Sequence, residues 1–119
     1  MGEHWYVDSS ALAKLVRTEP ETRALKRWLR GKAWLVSDLQ RTELRRAARR
    51  AGPESLARAD ALIASADVIR LTPNHFDAAG VLDPPTLRSL DAIHLAAARS
   101  LGKDLAGIVA AHPGRKTLA

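Results

Sequence analysis

Apolar positions along this chain fall into two alternating patterns. Short runs at Trp5–Val7, Ala33–Ser37, Asp67–Leu71 and Gly107–Ala110 have the length and content of buried strands. Between them, apolar residues recur every three or four positions, which predicts helices over Ser9–Arg17, Pro20–Arg30, Leu39–Ala51, Pro53–Ala66, Asn74–Leu82 and Ser89–Leu101. Proline and glycine punctuate the same boundaries: Pro20 opens a helix, Gly31 closes it, Gly52-Pro53 separates two more, and Pro84-Pro85 ends another. Strand and helix in alternation define an α/β protein, a three-layer α/β/α arrangement around a mainly parallel central sheet. At 119 residues the chain suits one domain, with residues 1–111 forming it and 112–119 a polar, loosely held C-terminal tail.

Three acids interrupt this pattern. Asp8 closes the first strand run and is followed at once by the helical Ser9-Ser10-Ala11-Leu12, which puts its carboxylate at the C-terminal end of a strand. In an open parallel sheet that end is where ligands bind. Glu43 follows Leu39 and precedes Ala47 at four-residue spacing, so it faces inward, at least at the edge of its helix's buried face. A carboxylate there loses several kcal/mol of solvation unless a cation, a donor or a metal compensates. Asp91 aligns with Leu87 and Leu95 on a helix that is apolar almost all round, a pattern that predicts a buried helix.

Each acid also has an ordinary explanation. Glu43 could form an internal salt bridge with Arg17 or Arg88, and Asp91 could serve the unsatisfied amides of a helix's first turn. Taken together, the acids form a set that suits Mg²⁺ or Mn²⁺, hard cations that take oxygen ligands and leave positions for phosphate and water. Ser10 could support such a site through its hydroxyl, although a serine after a strand is commonly a helix N-cap. His94, one turn beyond Asp91, reads as a packed or surface histidine more readily than as a proton carrier.

Composition narrows the partners. Lys and Arg number 19 against 13 Asp and Glu, a net +6 that favours a polyanion such as nucleic acid. Arg41, Arg45, Arg46, Arg49 and Arg50 crowd the helix carrying Glu43, and Arg88 precedes Asp91. Arg88 and Arg46 are therefore candidates for contact with RNA or a protein partner, against the plainer reading of a solvated helix face. Cysteine is absent, which excludes disulfides, thiolate metal sites and cysteine nucleophiles. No run approaches the roughly 18 apolar residues of a membrane span, and no leader-like segment opens the sequence, so a cytoplasmic protein without membrane contact is expected.

The segments Tyr6-Val7-Asp8-Ser9-Ser10-Ala11-Leu12, Glu43 after its strand end, and Leu87-Arg88-Ser89-Leu90-Asp91-Ala92-Ile93-His94-Leu95-Ala96 closely resemble the motifs of PIN-domain ribonucleases, particularly the VapC toxins. The resemblance spans nearly residues 4 to 110, and its specificity lies in the order and spacing of the motifs. It implies a PIN-like fold in which Asp8, Glu43 and Asp91 bind Mg²⁺ or Mn²⁺ and hydrolyse RNA, a VapB-like antitoxin that blocks the site, and a homodimer. The departure is at the C-terminus, which is shortened: such toxins usually carry a fourth acid after the last core strand, whereas this chain has Val109-Ala110-Ala111-His112-Pro113. His112 falls about where that acid would be, and one imidazole does not replace a carboxylate toward Mg²⁺. Two alternatives to an active endoribonuclease toxin follow: a truncated PIN domain kept as an antitoxin-binding or nucleic-acid-binding module, and a basic α/β protein with purely structural carboxylates.

Overall fold

A computed structural model describes residues 2–17, 20–112 and 115–118. Strand β1 (His4–Val7) leads into helices α1 (Ser9–Leu15) and α2 (Pro20–Leu29), then β2 (Ala33–Ser37), α3 (Leu39–Ala51) and α4 (Pro53–Ser65). Strand β3 (Asp67–Ile69), helices α5 (Pro73–Gly80) and α6 (Ser89–Arg99), and strands β4 (Leu105–His112) and β5 (Arg115–Leu118) complete the chain. The sheet order is β3-β2-β1-β4-β5, and the first four strands are mutually parallel. The α/β fold expected from the alternating pattern is thus the one observed. One segment differs: instead of a loose tail after residue 111, β4 continues to His112 and Arg115–Leu118 pairs antiparallel with it. The alternation of Arg115-Lys116-Thr117-Leu118 is too polar to announce a strand, yet an edge strand needs only a neighbour's backbone.

Strand alternation sorts side chains to the two faces of the sheet. Val7, Val36 and Val109 point to one face, where they join Leu12, Leu15, Val16, Leu25, Leu29, Leu44 and Ile63 of α1 to α4 in the largest buried cluster. Trp5, Trp28 and Trp34 pack against that cluster as well, and Trp5 and Trp28 meet edge to face with ring centroids 4.7 Å apart. The tryptophans are therefore packing residues, as their positions in the stripes imply. Tyr6 and Leu35 point to the opposite face, where Ala97 and Ala98 of α6 cover them. Ala79 of α5 packs with Ala92 and Ala96 of α6 behind that layer.

The chain runs outward from β1 to β3 and then returns to place β4 on the other side of β1. The strand order therefore reverses beside β1, which is where a crevice opens at the C-terminal ends of parallel strands. Gln40 closes the floor beneath it. Its buried side-chain amide donates to the Val7 carbonyl and accepts from the Ser37 backbone N–H at 2.7 Å, which ties the ends of β1 and β2 together.

Candidate active site

Asp8 immediately follows β1, and its backbone N–H donates to the Val109 carbonyl at 3.0 Å. It is also the N-cap of α1, in extended conformation, with Oδ1 accepting from the Ala11 backbone N–H at 3.1 Å. The cap is thus the aspartate, and neither serine takes that place. This frees the two hydroxyls for side-chain work: Ser10 Oγ donates to Asp8 Oδ1 at 2.6 Å, and Ser9 Oγ donates to Glu43 Oε1 at 2.6 Å.

Glu43 reaches the same place from α3, with its side chain 22% exposed. No arginine among the described residues pairs with it. His94 Nε2 lies 2.5 Å from Oε1, and the same ring's Nδ1 lies 2.6 Å from the Tyr6 hydroxyl, which in turn is 3.0 Å from Ser37 Oγ. Burial pushes the Glu43 carboxyl up, but the hydrogen bonds from His94 and Ser9 outweigh it and hold the group below its usual value. Tyr6 is fully buried, and desolvation pushes its phenol well above the ordinary range, so it stands as a neutral hydroxyl.

Asp91 completes the set from the first turn of α6. It is exposed, contrary to the buried position that the helix's apolar pattern predicts, because the buried face of α6 begins only at Ala92. It nevertheless lines one cleft of about 450 Å³ with Asp8, Glu43, Ser9, Ser10, Tyr6 and His94. Leu87, Leu95, Ile108 and Ala110 form the apolar wall of this cleft. Larger clefts lie elsewhere among the described residues: one between Leu15, Leu29, Trp34, Leu62 and the basic Lys26, Arg30 and Arg58, and its neighbour, contain no acid, and one beside Gly52 and Pro53 has Glu54 alone.

The structure thus brings the three expected acids and Ser10 around one cleft. Arg88 and Arg46 are both exposed and do not line it. Two acids that could be mistaken for members stand apart. Asp38, next to β2's end, accepts from the Leu71 backbone N–H through Oδ2 at 3.0 Å, and Asp60 pairs with Arg45 at 2.8 Å on the surface. His112 ends β4, with its backbone opposite Arg115. Sequence reasoning ranked a site role for His94 below a packed or surface one, and missed Tyr6 as part of the site. The available signal was the alternation that places Tyr6 and Asp8 on the same face of β1, toward the helix that carries Asp91.

The molecule is an α/β domain with a mainly parallel sheet and three acids around one cleft at its switch point, and comparison with known proteins shows its family. The sequence profile of the PIN domain matches residues 5–106. Ribonuclease VapC47 of Mycobacterium tuberculosis is 43% identical over 110 residues, covering 87% of this chain and 81% of that protein. Ribonuclease VapC46 of the same organism is 45% identical over 101 residues, covering 84% and 78%. The crystal structure of M. tuberculosis VapC20, a toxin that cleaves the sarcin-ricin loop, superposes with a TM-score of 0.69 at 23% identity, covering 82% of this chain and 83% of that one, which supports the fold. The chain belongs to the PIN-domain family, among the VapC ribonucleases.

Proposed function

We propose that this protein is a metal-dependent endoribonuclease, the toxin of a toxin–antitoxin pair, acting on RNA in the cytoplasm. The observation that carries this reading is the cleft itself: Asp8, Glu43 and Asp91 face one another at the C-terminal end of β1, and none of them pairs with a lysine or arginine among the described residues. Carboxylates so arranged repel one another; the hydrogen bonds on Glu43 and Asp8 relieve part of that cost, and a divalent cation would relieve more. No helix among the described residues is long and apolar enough to cross a membrane.

The donor set fits Mg²⁺ or Mn²⁺ in chemistry, since every candidate ligand is a hard oxygen. Among the described residues no three acid or histidine side chains converge into a ready cage, so the fit is to an ion that keeps much of its water and is held by one or two carboxylates at a time. Asp8 and Glu43 would hold it, with Asp91 across the cleft. A bound ion of this kind supplies charge against the phosphate and acidifies a water. The chain's own groups do the rest: Leu87, Leu95 and Ile108 keep one wall dry, while Ser9, Ser10 and His94 orient the carboxylates. Ala110, just past the last pairing of β4 with β1, lines the cleft without offering a side-chain ligand, so an ion there would depend on Asp8, Glu43 and Asp91.

Arg88 and Arg46 would meet the RNA backbone or an acidic segment of a VapB-like antitoxin, and the toxin would act as a homodimer. The competing reading, a binding module that has lost cleavage, is weakened by relatives that are named ribonucleases. The test uses purified protein free of antitoxin, incubated with structured RNAs in Mn²⁺ or Mg²⁺, beside an EDTA control and an Asp8→Asn variant. Asn retains the helix-capping ability of Asp, so the variant keeps the fold and isolates the ligand. Cleavage confined to the metal-loaded native protein is expected, and equal cleavage in all samples would sink the reading.

A further inference from the structure

We propose that His94 is a positioning residue of the site: rooted on Tyr6 and Ser37, it fixes one oxygen of Glu43 so that the other is presented open. This rests on the metal reading given above and assigns a role to a histidine outside the acid set.

A bare ring nitrogen 2.5 Å from an ionised carboxylate oxygen would set lone pair against lone pair, so Nε2 carries a proton and donates to Glu43 Oε1. The other side of the ring is held as well. Nδ1 lies 2.6 Å from the hydroxyl of Tyr6, a neutral phenol that donates its own proton to Ser37 Oγ at 3.0 Å. The string Ser37, Tyr6, His94, Glu43 is thus continuous, each member in hydrogen-bond contact with the next.

The string is anchored in the rigid part of the molecule. Tyr6 and Ser37 are each 0% exposed on neighbouring central strands, and His94 is 8% exposed against them.

The second observation concerns which oxygen is held. His94 and Ser9 both donate to Oε1 of Glu43, and Oε2 has no hydrogen-bond partner among the described residues. Asp8 repeats the plan: Ser10 Oγ and the Ala11 N–H both go to Oδ1, and Oδ2 has no hydrogen-bond partner among the described residues. Two acids on different elements each have one oxygen tethered by two donors and one free, the form in which a carboxylate offers a single oxygen to a hard cation.

The test measures Mn²⁺ binding by calorimetry together with kcat and KM for RNA cleavage, in native protein and in His94→Gln, His94→Asn, Tyr6→Phe and Glu43→Gln, with folding followed by circular dichroism. Gln can place its amide nitrogen near Nε2 and still donate to Glu43, whereas Asn places its amide near Nδ1 and cannot reach. His94→Asn is expected to weaken Mn²⁺ binding by about 10- to 100-fold and to lower kcat with KM for RNA little changed, while His94→Gln stays within about threefold of native. Tyr6→Phe should fall between them. Equal Mn²⁺ affinity in His94→Asn and His94→Gln, with Glu43→Gln weakened, would overturn the positioning role alone. Native affinity in Glu43→Gln, or no Mn²⁺ binding by native protein, would overturn the metal reading and this proposal with it.

Discussion

The two faces of the central sheet are built on different terms. Under α1 to α4 lies a thick apolar layer in which Leu12, Val16, Val36, Leu44 and Val109 are each 1% exposed. Under α6 the layer is thin and made of alanines, Ala97 and Ala98 against Tyr6 and Leu35, and a string of polar groups runs through it. Strand alternation explains the division, because Tyr6 and Asp8, Leu35 and Ser37, and Ile108 and Ala110 all belong to the α6 face. Small side chains on α6 let that helix lie close to the sheet, so that an imidazole on it can reach a tyrosine on β1. The difference teaches that one face supplies stability while the other spends its packing on orientation.

Three variants would break or sharpen that contrast. Leu12→Ala, on the apolar face, is expected to cost about 2–5 kcal/mol in urea unfolding, with cleavage per folded molecule retained. Unchanged stability would dissolve the contrast at once. Gln40→Leu strikes the seam between the faces, because the Val7 carbonyl and the Ser37 N–H both lose their buried partner. A loss of about 1–3 kcal/mol is expected, accompanied by reduced cleavage, since Val7 carries Asp8. Stability lost without any change in cleavage would show that the floor does not position the site.

Glu43→Gln should give the smallest change in stability and the most specific one in pH dependence. The carboxyl is held below its usual value in the folded state, so its ionised form contributes stability at neutral pH that is lost as pH falls through the folded value. Thermal melts in EDTA should therefore show native protein weakening in the acid range below the ordinary glutamate value, and the variant following a flatter course there. Parallel curves would mean that the donors on Glu43 do not favour its ionised form.

Much of this was readable in the residues. The apolar runs located the four parallel strands and the three- and four-residue repeats located the six helices, because burial imposes period 2 or 3.6 directly on the sequence. Asp8, Glu43 and Asp91 were readable as interruptions of those periods. The exposure of Asp91 was not, since periodicity reports which residues share a helix face but not where the covering layer begins. His94 was opaque for a related reason: its partner Tyr6 lies on a distant strand, and no local spacing encodes that meeting. The strand at Arg115–Leu118 escaped because backbone pairing at a sheet edge asks little of side chains.

The position of β1 between β2 and β4 has a consequence in time. The Val109 carbonyl that holds the Asp8 N–H, and the helix that brings Asp91 and His94, come from segments translated long after β1. Contacts between such distant segments close late, because the intervening chain must first be made and then looped back. A half-finished chain leaving the ribosome carries Asp8 and Glu43 without their companions. On the proposed function, the order of synthesis therefore keeps the site unassembled until the later segments have been made.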